Sequence, residues 1–293
     1  MSKSGNDRPM GLSISAAPAA TVRKSIAHLH RSAVAREKRL NLLLHEQARV
    51  RQELNAPIVK LLQSNRNDEV SMAALNRFET VVMNGSDAPA VPTDIDSEVQ
   101  WGFIGSERVG VVGAPFPHNF TQPDTSNRPD GNVSDADGNV IISANPSSDG
   151  MTAIGGIGFE FVPTPDLTMV FVRSSLSFNY AWSTVGTWPL NAHSEGKLGL
   201  LVHRLDPNGS IAEEFDFPST LWDVTSDGAS DHQQGSTTLV NYLPTLISGS
   251  RYIMWSYARV YCNSTDAFLG SSRGIAWLRM KCNLMTIASI FIP

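Results

Sequence analysis

The sequence predicts an α+β protein with segregated helices and strands: N-terminal amphipathic, coiled-coil-like helices, then an all-β antiparallel sandwich of the jelly-roll type. Apolar residues recur at steps of three and four only in about the first 85 residues, which is the period of a helix. After Trp101, short runs with alternating apolar residues are separated by Gly, Pro, Asn and Asp, as in antiparallel sheets. Strands do not alternate with helices along the chain, which argues against a parallel sheet.

These patterns divide the 293 residues into four segments. Residues 1–20 are rich in Ser, Ala, Gly and Pro and have no period, so we expect a flexible tail. Residues 21–85 form a helical, basic module, and residues 86–97 form a Pro-containing linker. Residues 98–293 form the predicted β-sandwich domain, which carries every Trp of the chain.

The first predicted helix begins near Thr21 and has its apolar side chains on one stripe. Pro57 should end or kink it, because proline lacks an amide donor and crowds the preceding turn. A second helix is predicted over residues 69–83. The stripe has the spacing of a coiled coil, so we expect self-association through seven residues: Ile26, Leu29, Ala33, Leu40, Leu43, Val50 and Leu54. The alternative is that this stripe packs on its own domain.

The net charge of −5 conceals an uneven distribution. Through residue 85 the chain carries 13 Lys and Arg against 7 Asp and Glu, about +6; the totals of 23 and 28 leave 10 and 21, about −11, for the remainder. Opposite signs on the two modules predict either an anionic partner for the basic helix or attraction between modules of different subunits.

Strands are predicted where apolar and polar residues alternate between turn residues. They cover residues 98–104, 108–112, 158–162, 169–180, 197–205, 236–241, 252–261 and 274–293. In the fourth of these, Val170, Val172, Leu176, Phe178 and Tyr180 share one face.

A ligand site is predicted in loops of the β-domain that combine aromatic, acidic and imidazole groups. Indole faces stack on sugars and carboxylates bind sugar hydroxyl groups, so exposed Trp residues next to Asp residues favour a glycan or a protein surface as ligand. The candidates are Trp182, Trp188, Trp222, Asp223, Asp227 and His232.

A second group of oxygen-bearing side chains lies between residues 130 and 139. Alternating oxygen ligands in a loop are typical of calcium sites, which makes Asp130, Asn132, Asp135 and Asp137 weak metal candidates. Asp135 and Ile141 stand where a calcium-binding EF-hand loop requires Gly and Glu. A tight turn at Asp137 and Gly138 accounts for the same residues. The only cysteines, Cys262 and Cys282, are expected to be free and buried.

The chain contains none of the common catalytic or phosphate-binding motifs, so we expect a non-enzymatic protein without a cofactor. In architecture alone, the outline resembles fibre-head and lectin-like proteins that join a coiled-coil stalk to a β-sandwich. The leading hypothesis is an oligomeric binding or structural protein. The alternatives are a toxin-like protein that binds anionic membranes through its basic helix and a capsid-type protein whose basic arm meets nucleic acid. Without a signal-peptide pattern, we expect synthesis in the cytoplasm, with release by lysis or a specialised route.

Overall fold

A computed structural model describes residues 19–64, 108–122, 132–134, 136–147, 149–163, 170–186, 190–243, 246–267 and 270–289. These residues form one helix followed by eleven strands: α1 (Ala19–Ser64), β1 (Arg108–Val112), β2 (His118–Gln122), β3 (Asn132–Ser134), β4 (Asn139–Ala144), β5 (Asp149–Phe161), β6 (Val170–Gly186), β7 (Ala192–Leu205), β8 (Ile211–Ser226), β9 (Gly228–Leu243), β10 (Arg251–Ala267) and β11 (Gly270–Ser289). The predicted second helix, the linker and the strand over residues 98–104 lie outside the described residues.

All the strands belong to one large antiparallel sheet with the β10–β11 hairpin at its centre. Strand β10 pairs with β5 on one side and β7 on the other, and β2 and β8 extend these pairs outward. Strand β11 pairs along its length with β6, which pairs with β9. The opposite side of β11 is shared by β10, β4 and β1. Because both halves are hydrogen-bonded to each other, this topology establishes a mostly β protein but not a jelly roll or two separate sheets.

The main core lies between the two halves of the sheet. It combines side chains such as Leu200 of β7 and Met254 of β10 with Val172 of β6 and Leu278 of β11. Successive side chains of a strand point to opposite faces. Met254 therefore points into this core, while its neighbour Trp255 points to the outer face of β10, and both are buried.

Helix α1 covers that outer face. Leu29 packs in a second apolar cluster with Trp255 and Leu201, and Val22 and Ile26 pack against the same cluster. The stripe predicted to form a coiled coil thus begins as a contact with the chain's own sheet. This is the alternative that the sequence left open, and a coiled coil is not shown.

Helix α1 extends past its last described polar contact with the sheet. Its 46 residues span about 69 Å at 1.5 Å per residue. The last described polar contact between α1 and the sheet joins His45 to Asp149. The helix also continues past Pro57 to Ser64, so of the two predicted effects of Pro57, an end or a kink, the end does not occur. Proline removes only one backbone hydrogen bond, and the turns on both sides of Pro57 remain helical.

Candidate functional site at the helix–sheet interface

The two described tryptophans of the predicted ligand site lie in strands, not in loops. Trp182 belongs to β6 and Trp222 to β8, and their exposed fractions are only 6% and 5%. Trp222 donates a hydrogen bond from Nε1 to Ser194 Oγ at 2.8 Å and packs against Tyr180 with ring centroids 4.6 Å apart. The expectation that Trp182 is partly exposed is therefore wrong, because its ring, like that of Trp222, fills the core. Trp188 lies outside the described residues.

The polar members of that predicted site are exposed but spread along two strands and the turn between them. Asp223 lies on β8, Asp227 alone separates β8 from β9, and His232 lies on β9. Asp223 Oδ1 is 3.7 Å from His193 Nε2, whereas the amide of His232 bonds the carboxylate of Asp231. Binding of a ligand by these residues stays a prediction.

Of the calcium candidates, only the side chain of Asp137 is described. Its carboxylate accepts hydrogen bonds from Ser134 and from Asn139 Nδ2, which lower the pKa of Asp137. Gly138 has a φ of 71°, which favours glycine in a tight turn. These contacts match the turn that was the alternative to calcium. The backbone of Asn132 lies in β3, and Asp130 and Asp135 lie outside the described residues.

A cluster of charged side chains lies where α1 crosses the sheet. Glu195 of β7 is almost completely buried and faces three cations: Arg36 of α1 at 2.6 Å, Lys197 at 3.2 Å and Arg259 of β10 at 3.4 Å. A buried carboxylate needs such partners, because transfer of an unpaired charge from water into the protein is strongly unfavourable. The helix therefore supplies Arg36, one of the three cations around Glu195, and the sheet supplies the other two.

A shallow cleft runs along this crossing. Its lining combines helical and strand residues: Ala33, Arg36, Glu37, Leu40, Thr152, Glu195, Arg259 and Tyr261. The Tyr261 hydroxyl donates to Asn41 Oδ1, and burial raises the pKa of Tyr261. The phenol therefore stays protonated and acts as a hydrogen-bond donor in the wall of the cleft.

Two clusters of imidazole and carboxylate groups lie at the same interface or beside it. The first joins His28 of α1, His203 of β7 and Glu214 of β8, and the second joins His193, Glu195 and Asp223. In the first, Glu214 Oε2 lies 2.7 Å from His28 Nε2 and 3.1 Å from His203 Nε2. The hydrogen bond from His203 lowers the pKa of Glu214.

In the second cluster, only one of the two ring nitrogens of the buried His193 has a hydrogen-bond partner. Nδ1 is 2.9 Å from Thr225 Oγ1, while Nε2 has no hydrogen-bond partner. Burial lowers the pKa of His193, although Asp223 and Glu195 act in the opposite direction. The neutral form is favoured.

The two cysteines are free and buried, as the sequence predicted. Cys262 Sγ contacts Ser194 Oγ, and Cys282 Sγ contacts Ser174 Oγ, each at 3.5 Å. Burial raises the pKa of Cys262 to about 12 and that of Cys282 to about 11. Both groups are therefore thiols rather than reactive thiolates at neutral pH.

The sequence did not indicate the first cluster or its supporting residues, Ser25 and Trp255. Ser25 and His203 are 178 residues apart, and no spacing rule connects them. The only available signal was the presence of histidines on an otherwise apolar and basic helix.

No protein-family model and no curated protein matches the chain. Among solved structures, it is similar to the enzymatically active domain of tailspike protein 4 from bacteriophage CBA120, with 8% identity, a TM-score of 0.20, 58% of this chain covered and 19% of that one. A carbohydrate-binding module, TmCBM61 in complex with β-1,4-galactotriose, gives 12% identity and a TM-score of 0.20 over 62% of this chain and 88% of that one. The structure of the infectious bursal disease virus Gx strain gives 12% identity and a TM-score of 0.19 over 68% of this chain and 40% of that one.

TM-scores this low do not establish a shared fold. Among the described residues, no helix has both the length and the apolar character needed to cross a membrane.

Proposed function

We propose that this protein is a non-enzymatic structural or binding protein whose copies associate through the C-terminal half of α1, residues 42–64. The observation that carries this proposal is the division of the apolar stripe. Leu29 and Ala33 are buried on the sheet, whereas Leu43 and Val50 are 55% and 40% exposed. The same stripe thus has a partner in its first half and none in the described part of its second half.

Physical chemistry favours a partner for that second half. Residues 46–64 extend about 28 Å past His45 at 1.5 Å per residue. Isolated helices of this length are marginal in water, even with helpful charge pairs such as those of Arg49 with Glu46 and Glu53. Burial of the exposed apolar side chains against a second copy stabilises the helix and removes this surface from water.

A second copy suits this surface better than a glycan does. Leu42, Leu43 and Val50 offer no hydrogen-bonding groups for sugar hydroxyls, and the buried rings of Trp182 and Trp222 cannot stack on a sugar. In this proposal, the sheet forms the head of each subunit and the extended helix forms the stalk through which subunits meet. Larger, capsid-type assemblies are an extension of the same self-association.

Light scattering on Leu43→Asp tests the proposal. A charge in an apolar helix–helix contact weakens association strongly, so the mass should fall from that of an oligomer towards the 31.8 kDa of one chain. Ala27→Asp is the matched control, because Ala27 is an exposed residue in the first half of α1 and outside the stripe, and the charge change is the same.

Circular dichroism should show that both variants stay folded. A parent protein that is monomeric at all accessible concentrations, or an oligomer with the same mass in Leu43→Asp and in the parent, would contradict the proposal.

A further inference from the structure

His28, His203 and Glu214 bring three metal-binding atoms together from three elements. His203 and Glu214 are directly opposite each other on β7 and β8, so both side chains lie on the face that α1 covers. His28 reaches them from the helix, and its ring packs edge-on against that of His203 with centroids 5.6 Å apart. The three donor atoms all lie within 4.8 Å of one another.

His203 has the supporting contacts that metal-binding histidines usually have. Its side chain is completely buried, and its Nδ1 is 2.6 Å from Ser25 Oγ. Ser25 Oγ in turn accepts a hydrogen bond from Trp255 Nε1 at 2.8 Å. A hydrogen bond at one ring nitrogen fixes the ring and directs the other nitrogen, here Nε2, towards the shared centre.

The cluster of His28, His203 and Glu214 differs in its charge balance from the one around His193. There, Glu195 is already neutralised by Arg36, Lys197 and Arg259. Among the described residues, Glu214 has ion-pair contacts only with the two imidazoles and none with Lys or Arg. Glu214 therefore lacks a permanent counter-charge, and a divalent cation supplies one.

We propose that His28, His203 and Glu214 bind a divalent transition-metal ion, with Zn²⁺ as the best fit, and that this ion fastens α1 to the sheet. Two imidazoles and one carboxylate are a common zinc ligand set, with a fourth position left to water. Zinc bonds of about 2.0–2.2 Å require donor atoms about 3.3–3.5 Å apart. The two contacts to Glu214, at 2.7 and 3.1 Å, must lengthen by under about 1 Å, which the partly exposed His28 permits.

The proposal is independent of how the protein associates, because all three ligands come from one chain. It predicts that removal of the metal weakens the contact between α1 and the sheet. Zn²⁺ binding should also weaken at low pH, because protonated imidazoles cannot bind metal.

Isothermal titration with ZnCl₂ on EDTA-treated, desalted protein tests this site. We expect one Zn²⁺ per chain and, at saturation, a rise in melting temperature of about 5 °C, whereas MgCl₂ should produce neither effect. His28→Ala and Glu214→Gln should each weaken Zn²⁺ binding at least about tenfold. Both positions are partly exposed, so the variants should still fold.

His45→Ala is the matched control for His28→Ala. His45 is also a helical histidine next to a carboxylate, that of Asp149 at 3.2 Å. Among the described residues, it belongs to neither cluster of three metal-binding groups. Zn²⁺ binding should be the same in this variant and in the parent. Absence of binding at micromolar Zn²⁺, equal binding in His28→Ala and the parent, or a loss of binding in His193→Ala instead would overturn the proposal.

Discussion

The indole of Trp255 donates a hydrogen bond to the hydroxyl of Ser25 at 2.8 Å, although 230 residues separate the two along the chain. Both side chains are buried between α1 and β10. The same hydroxyl contacts His203 Nδ1, so one oxygen atom satisfies polar groups of two strands.

Ser25→Ala should therefore destabilise the protein by about 1–3 kcal/mol, because it leaves an indole N–H and an imidazole nitrogen buried without their partner. Urea denaturation followed by tryptophan fluorescence measures the change in unfolding free energy. Ser32→Ala, at an exposed position of the same helix, is the control and should change it by less than about 0.5 kcal/mol. Equal effects of the two variants would show that the buried hydroxyl contributes nothing specific.

Replacement of Glu195 tests the buried charge cluster. Glu195→Gln leaves Lys197 and Arg259 facing each other in a buried site without a carboxylate, so we expect a loss of about 3–5 kcal/mol in unfolding free energy. Glu213→Gln breaks the pair with Arg204 at the protein surface and should cost less than about 1 kcal/mol. Chemical denaturation compares both variants with the parent, and a small effect at Glu195 would mean that water reaches the cluster.

Gly196 is required because the indole of Trp222 lies directly over it. These residues are opposite each other on β7 and β8, and a Cβ at position 196 would overlap the indole ring. Gly196→Ala should thus destabilise the protein by about 1–3 kcal/mol or more through overpacking. Gly228→Ala is the control, since a Cβ there meets no atom within 4 Å. Thermal denaturation should separate the two variants clearly, and similar melting temperatures would contradict this packing.

Acidification should destabilise the protein before its carboxylates titrate. Burial lowers the pKa of His118 and His193, so below about pH 6.5 the unfolded chain binds protons that the folded protein does not. The free energy of unfolding then rises with pH in this window, by up to about 1.4 kcal/mol per pH unit for each proton. This stability is complete above about pH 6.5 and is lost as the pH falls towards the lowered pKa values.

Urea denaturation between pH 5 and 8, with EDTA present to exclude metal binding, measures that slope. His193→Gln and His118→Gln should each flatten it, whereas His232→Gln, at an exposed position, serves as the control. The same slope in all four proteins would mean that other groups cause the pH dependence.

Alternating apolar residues were sufficient to predict several strands and insufficient for others. Strand β1 has the predicted bounds, and β6 contains Val170, Val172 and Leu176 as buried residues of one face. Strand β8 was missed because its residues include Pro218 and four acidic side chains, which are rare in strands. Among the described strands it pairs with β7 alone, and proline is tolerated at such an edge.

The candidate site could not be predicted for a different reason. The sequence places the predicted ligand residues in loops, but β8 and β9 extend through Trp222, Asp223 and His232. The groups that do converge, His28, His203 and Glu214, meet only after α1 docks on the sheet, and no local pattern encodes that docking.

The docking of α1 on β10 has a consequence for synthesis on the ribosome. The helix is made before every described strand, and Trp255, which packs against it, is made about 230 residues later, which takes about 10 to 50 s at 5–20 residues per second. The central hairpin of the sheet is also the last part of the described chain to appear. A nascent chain therefore carries its helix uncovered through most of translation, when neighbouring nascent chains on the same messenger or a chaperone can reach it before its own sheet does.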